Sequence, residues 1–405
     1  MDYFKRVKVW SEDLAPGMFV AELDRPWEES NFLLQGFKLE GPHDVEAVQR
    51  QCRYVYVDFE SEAQFKRFKL QTSKSSTYKK HLEESLAFNN QSFNFDIKPA
   101  LTRRKQTKSI LKSVFDKIAL GQDFDVTTAH DSVKENVKEI LQNESAMLVL
   151  AMLSESNADI ADHCFAVSIL SICFAKQLGY SQVELEDIGL AALLHDIGHM
   201  RVDNKVLNKY GRLNADERKL VEEHPKYGFD IISSKPGLTK SCIDVIYSHH
   251  ERIDGSGYPR GLKTTSITPI TQLISLVDVY ESKTRQQSYR KGSPIVRVYK
   301  MLLEGKNTIY DGKLLMQFIQ WRGIYPPGSI VELEDGRVGI VIAIDRKNKL
   351  QPVVLQILDQ YKQKVKEQII SAANDSDFKI INAFENNAFG IYLHDYLEKG
   401  LKIRS

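Results

Sequence analysis

The sequence predicts a multidomain, mainly α protein: a central all-α bundle between a small α+β or β-rich N-terminal domain and a short C-terminal β-meander. Three observations carry that prediction. At 405 residues the chain exceeds one core of ordinary size, so two or three domains are expected. Apolar residues recur at helical spacing through its middle. Near the C-terminus, Asp335-Gly336 separates two β-branched apolar runs, a strong hairpin signal.

In chain order, residues 1–70 hold short apolar stretches broken at Pro16-Gly17, Arg25-Pro26 and Gly41-Pro42. Tyr54-Val55-Tyr56-Val57 reads as a strand. Trp10, Trp27, Phe32 and Phe37 suit a small core, and this domain reads as regulatory or dimer-forming. Residues 71–125 begin with the polar linker QTSKSSTYKK and continue into helical stretches such as SILKSVFDKIAL. Within 126–325, ILQNESAMLVLAML, HCFAVSILSICFAKQLG and VELEDIGLAALLHDIGH carry helical periodicity. Gly179 suits a helix C-cap, and Asn214 with Glu217 forms a capping-box pattern. Residues 326–405 hold GSIVEL, RVGIVIAI and PVVLQIL as the meander, followed by a tail of mixed character.

Composition narrows the function. Lys+Arg 55 against Asp+Glu 54 leaves a net charge of +1, which argues against binding a nucleic acid polymer. MDYFKRVKVW lacks a signal-peptide core, and VSILSICFA and IGLAALL are too short to cross a membrane, so no membrane insertion is expected. Cys52, Cys164, Cys173 and Cys242 show no paired spacing and suit buried thiols in a cytoplasmic protein.

The anomaly is histidine. Six of the 10 histidines lie between residues 163 and 250, inside the helical segment. His43, His81, His130 and His394 are isolated and read as ordinary core or surface residues. Asp196 follows His195, Asp278 interrupts the apolar stretch ISLVDVY, and Asp159 lies four residues before His163. A carboxylate in such a stretch is costly unless paired or metal-bound. Imidazole and carboxylate donors without thiolate favour Fe, Mn, Zn, Co or Ni. A carboxylate can bridge two cations, and two cations about 3.5–4 Å apart clamp both ends of an in-line phosphoryl displacement. The loop HHERIDGSGYPRGLK is too rich in Gly and Pro for a helix, and it carries Arg252, Tyr258, Arg260 and Lys263, groups suited to phosphate.

HDIGH, EEHP, HHERIDGSGYPRGLK and the aspartate of SLVDVY, in this order and spacing, resemble the HD-GYP family of HD phosphohydrolases over roughly residues 145–325. LAPGMFVAELDRPWEESNFLLQGF with RQCRYVYVD is similar to a domain of unknown function often found before bacterial HD-GYP domains. The resemblance implies an HD-type bundle that hydrolyses cyclic di-GMP to pGpG and in many members on to GMP. It implies two divalent ions, Fe or Mn, held by His163, His195, Asp196, His224, His249, His250 and Asp278, with Asp196 as the bridge. Asp159 stands where members with a third metal carry glutamate. Asp196 and His199 are the expected catalytic groups, and Arg252, Tyr258, Arg260, Lys263 and Arg290 the expected substrate contacts.

Three positions depart from the family's pattern. His199 replaces the lysine of HDxxK, offering a phosphate less positive charge. Gln287 replaces the first arginine of an RPYR-like stretch, removing a bidentate contact, while Arg290 remains. After Asp278 the chain reads VYESKT where the family prefers VFDAL, which implies different local packing. None of these touches the matched ligand set, so an active enzyme is expected. The alternatives are a module that binds cyclic di-GMP or a partner protein without turnover, and an enzyme for a different cyclic dinucleotide.

Overall fold

The computed structural model describes residues 5–24, 37–59, 94–153, 160–207, 209, 211–285, 293–343, 352–371, 375, 378–384, 388–398 and 402–404. The chain forms two compact units, Met1–Ser92 and Phe93–Ser405.

The first unit contains β1 (Lys5–Trp10), β2 (Phe19–Leu23), β3 (Phe37–Lys38), α1 (Pro42–Gln51) and β4 (Tyr54–Phe59). The strands form an antiparallel sheet in the order β1-β4-β2-β3. Period-2 alternation places Val55, Val57 and Phe59 of β4 inside with Val9, Val20 and Val48. The same alternation corrects one expectation. Val9 enters the core, while its neighbour Trp10 packs edge-on against Tyr54 with ring centroids 5.7 Å apart. Phe37 lies at the core's margin. Trp27 and Phe32 lie outside the described residues.

The second unit opens with β5 (Asn94–Asp96), then α2 (Ile97–Ala119), α3 (Thr127–Ala151), α4 (Ile160–Leu178) and α5 (Gln182–Leu194). A 3₁₀ turn, Ile197–Arg201, leads to α6 (Asn204–Leu207), α7 (Ala215–Glu222), α8 (His224–Ile232) and α9 (Lys240–Ser248). Then come α10 (Pro269–Thr284), α11 (Ile295–Glu304) and α12 (Gly312–Arg322). The expected caps form. Asn214 Oδ1 accepts the Glu217 N–H at 2.9 Å, and Glu217 accepts that of Asn214 at 2.8 Å. Gly179 ends α4 at φ +90°, a conformation glycine adopts without a Cβ penalty. Among the described helices only α4 is long and apolar enough to cross a membrane, yet 78% of that stretch is buried inside the protein, so it is the hub of the bundle.

The C-terminal sheet has five strands: β6 (Ile330–Leu333), β7 (Val338–Ala343), β8 (Val353–Leu358), β9 (Lys364–Ile370) and β10 (Ile380–Phe384), antiparallel in the order β10-β6-β7-β8-β9. Gly336 turns the first hairpin at φ +90°. One face, with Ile330, Ile340, Ile342, Leu355 and Ile357, merges into the helical core. The sheet therefore extends the bundle's own core. After α13 (Leu393–Glu398), β11 (Lys402–Arg404) pairs with β5, tying the two ends of this unit together.

Candidate metal centre

Four chain segments bring the predicted donors together with a fifth. His163 projects from the first turn of α4, His195 and Asp196 follow the end of α5, His224 opens α8, and His249 and His250 follow α9. Asp278 comes from α10. Helix ends supply most of the donors, which has a structural consequence. The last carbonyls of an α-helix have no intrahelical partner. Ala192 O at the end of α5 accepts His195 Nδ1–H at 2.7 Å. Val221 O at the end of α7 accepts that of His224 at 2.7 Å, and Ile246 O near the end of α9 accepts that of His249 at 3.1 Å. In each ring this turns Nε2 toward the centre.

The donors form two clusters whose ligand atoms lie within 4.8 Å of one another: Asp196, His224, His249 and His250 in one, and His163, His195 and Asp278 in the other. Asp196 stands between them. Its Oδ1 lies 3.2 Å from His224 Nε2 and 3.6 Å from His249 Nε2. Its Oδ2 lies 3.4 Å from His195 Nε2 and 3.5 Å from His163 Nε2. Asp278 Oδ1 approaches His163 Nε2 at 3.2 Å. His195 Nε2 is fully buried with no hydrogen-bond partner among the described residues. A buried orphan acceptor facing carboxylates and other imidazoles fits a cation site, because a divalent ion satisfies every member of the set at once.

Electrostatics separate the clusters. Burial, reinforced by the neighbouring His199, pushes His224 down to about 3. Burial and the adjoining imidazoles hold His250 well below the ordinary histidine value, and burial lowers His249 too. These rings are neutral and ready to donate. In the other cluster burial is outweighed. Glu281 and Asp278 lift His163 well above the ordinary value, and Asp196 lifts His195. Burial alone would keep Asp196 protonated, but His195 and His199 hold it well below the usual carboxylate range. It is therefore ionised, with imidazoles facing both oxygens.

Two glycines make this convergence possible. A Cβ on Gly198 would collide with the His224 carbonyl and the Gly228 amide, so only glycine lets the 3₁₀ turn lie on the start of α8. A Cβ on Gly257 would strike the His250 carbonyl and the Arg252 amide, so glycine lets the following loop fold back over the histidines. Glu251 pins that loop, its buried carboxylate accepting the N–H groups of Arg260 at 2.7 Å and Leu262 at 2.8 Å. Tyr258 then stacks on His250, ring centroids 4.7 Å apart.

The remaining predicted residues divide. His199 stacks on His224 with centroids 4.0 Å apart and places Nε2 3.5 Å from Asp196 Oδ1. Its Nδ1 is buried without a partner among the described residues. Arg252 donates to the Glu251 carbonyl at 3.0 Å and to Ser275 Oγ. Arg260 is exposed, and it bonds Asp244 at 2.9 Å and Ser248 Oγ. Lys263 is exposed, and its backbone bridges to Asp254. Asp159, Gln287 and Arg290 lie outside the described residues. Sequence reasoning misses Glu251 and Glu281. Glu281 carries a signal, an acid three residues after Asp278 on an apolar helix, but its partner is 118 residues away in sequence.

A family model for the HD domain matches residues 136–314, and one for a domain of unknown function (DUF3391) matches residues 6–129. The chain is 32% identical over 291 residues to a cyclic di-GMP phosphodiesterase of Pseudomonas aeruginosa, covering 72% of this chain and 70% of that protein. It is 30% identical over 174 residues to a cyclic di-GMP phosphodiesterase of Thermotoga maritima, covering 42% of this chain and 47% of that one. It is 32% identical over 151 residues to a 3'3'-cGAMP-specific phosphodiesterase of Vibrio cholerae, covering 37% of this chain and 33% of that one. The chain thus spans less than half the length of the latter two.

Proposed function

The chain belongs to the HD-domain family of phosphodiesterase enzymes, and on that premise we propose that it hydrolyses cyclic di-GMP to pGpG with two divalent cations, Fe or Mn. The observation that carries this reading is Asp196, which offers one oxygen to each donor cluster. His163, His195 and Asp278 would hold one cation, His224, His249 and His250 the other, and Asp196 both. Bound there, the cations supply Lewis acidity to the phosphodiester and make water a nucleophile near neutral pH.

The chain's own side chains do the rest. The Nδ1–H bonds of His195, His224 and His249 fix ring and tautomer before any cation arrives, so little reorganisation remains. Asp196 stays ionised at working pH. His199, with Nε2 3.5 Å from Asp196 Oδ1, is placed to hydrogen-bond a phosphate oxygen or to protonate the departing alkoxide. Tyr258, stacked on His250, is placed for a substrate contact, and Arg252, Arg260, Lys263 and Arg290 are further candidates.

The test is product chromatography from cyclic di-GMP, with protein purified aerobically and anaerobically and supplied with Mn or Fe. The wild type releases pGpG. Asp196→Ala loses about a thousandfold or more in rate, because one side chain serves both clusters, and it unfolds at a similar temperature. Binding of cyclic di-GMP by the metal-loaded wild type without pGpG release would leave a non-catalytic binding module as the better description. The similarity to a 3'3'-cGAMP-specific enzyme favours a second substrate reading, the mixed cyclic dinucleotide. Competition between the two substrates under one metal condition decides between them.

A further inference from the structure

His163 is oriented differently from the three imidazoles that lean on carbonyls. His195, His224 and His249 use carbonyls near helix C-termini. His163 lies inside α4, where the carbonyls within reach belong to the helix ladder. Its Nδ1 turns instead to another helix and meets Glu281 Oε2 of α10 at 2.5 Å. Glu281 is 5% exposed, so this contact is shielded from water. Its other oxygen faces Arg285 Nε, one helical turn further on, at 3.8 Å.

The spacing on α10 gives His163 support on both sides. Asp278 Oδ1 stands 3.2 Å from Nε2, while Glu281, three residues later on the same helix face, takes Nδ1. A carboxylate behind an imidazole fixes its orientation and makes it a stronger donor than a neutral carbonyl does. Within its cluster His163 is therefore supported by a charged residue from a distant helix, whereas His195, like His224 and His249 of the other cluster, leans on a local carbonyl.

We propose that Glu281, which faces Arg285, is the positioning residue for His163, and that it sets the cation affinity of the His163, His195, Asp278 cluster more strongly than that of the other. The proposal rests on reading the clusters as cation sites. It gives the VYESKT sequence a role that a change in packing does not.

The experiment titrates Mn²⁺ into the metal-free full-length protein by calorimetry and counts bound ions by elemental analysis. The wild type takes up two ions per chain. Glu281→Gln keeps the side-chain shape but removes the charge, and weakens one of the two sites roughly 10- to 100-fold. The other site, coupled to it through Asp196, weakens by a clearly smaller factor. Glu281→Asp recovers part of the lost affinity. In a His163→Ala background Glu281→Gln has no further effect on the ion that remains. Unchanged binding at both sites in Glu281→Gln, or equal weakening of both, overturns the proposal. A wild type that binds no Mn²⁺ overturns the reading of the centre itself, and this inference with it.

Discussion

A carboxylate is the one side chain in this centre with two equivalent donor atoms pointing in different directions, and Asp196 uses both. Around it the protonation states are unequal. His163 and His195 keep a proton to higher pH than a free imidazole, while His224, His249 and His250 give theirs up at lower pH. Cation binding at the first cluster must displace protons, and at the second it displaces none from the rings. Loading should therefore release protons at neutral pH, and affinity at the first cluster should rise as the pH climbs through and above the ordinary histidine range. Calorimetry in buffers of different ionisation enthalpy counts those protons, and zero release would contradict these assignments. The candidate ligand set is legible in the sequence because its members carry their own signature: His-Asp, His-His and an aspartate inside an apolar helix. Glu281 and Glu251 are harder to find. Each acts through a fold-dependent contact, Glu281 with His163 on another helix and Glu251 with amides across a glycine loop.

At the level of elements, the centre is made of helix ends. Ending α5, α7 and α9 just before a histidine presents helix-end carbonyls that orient the rings. The 3₁₀ turn 197–201 must then lie directly on α8, and Gly198 permits it. Gly198→Ala should cost about 1–3 kcal/mol of stability through overpacking. It should also weaken Mn²⁺ binding more than a stability loss of that size at an exposed site would. Thermal unfolding beside metal titration tests this, and normal metal affinity in the variant would refute it. Caps and turns are readable because their chemistry is local, as at Asn214-Glu217, Gly179 and Asp335-Gly336. The polar strand β9 and the three-residue pair β5–β11 are not, because their pairing is set by partners far along the chain.

At the scale of the molecule, each unit has its own core, and the bundle shares its core with the C-terminal sheet. A fragment spanning 93–405 should fold and keep its metal centre. Removal of residues 326–405 should instead destabilise the bundle, because that sheet buries Ile330, Ile340 and Leu355 in the common core. Retained cooperative unfolding and Mn²⁺ uptake in the fragment, and their loss in the truncated chain, check both statements. The neighbouring clusters and the single carboxylate between them lead to one spectroscopic consequence. Two Mn²⁺ ions held through Asp196 would be magnetically coupled. Electron paramagnetic resonance of the wild type loaded with two equivalents should show an exchange-coupled spectrum, which Asp196→Ala removes. Signals of isolated Mn²⁺ ions in the loaded wild type would contradict a shared centre.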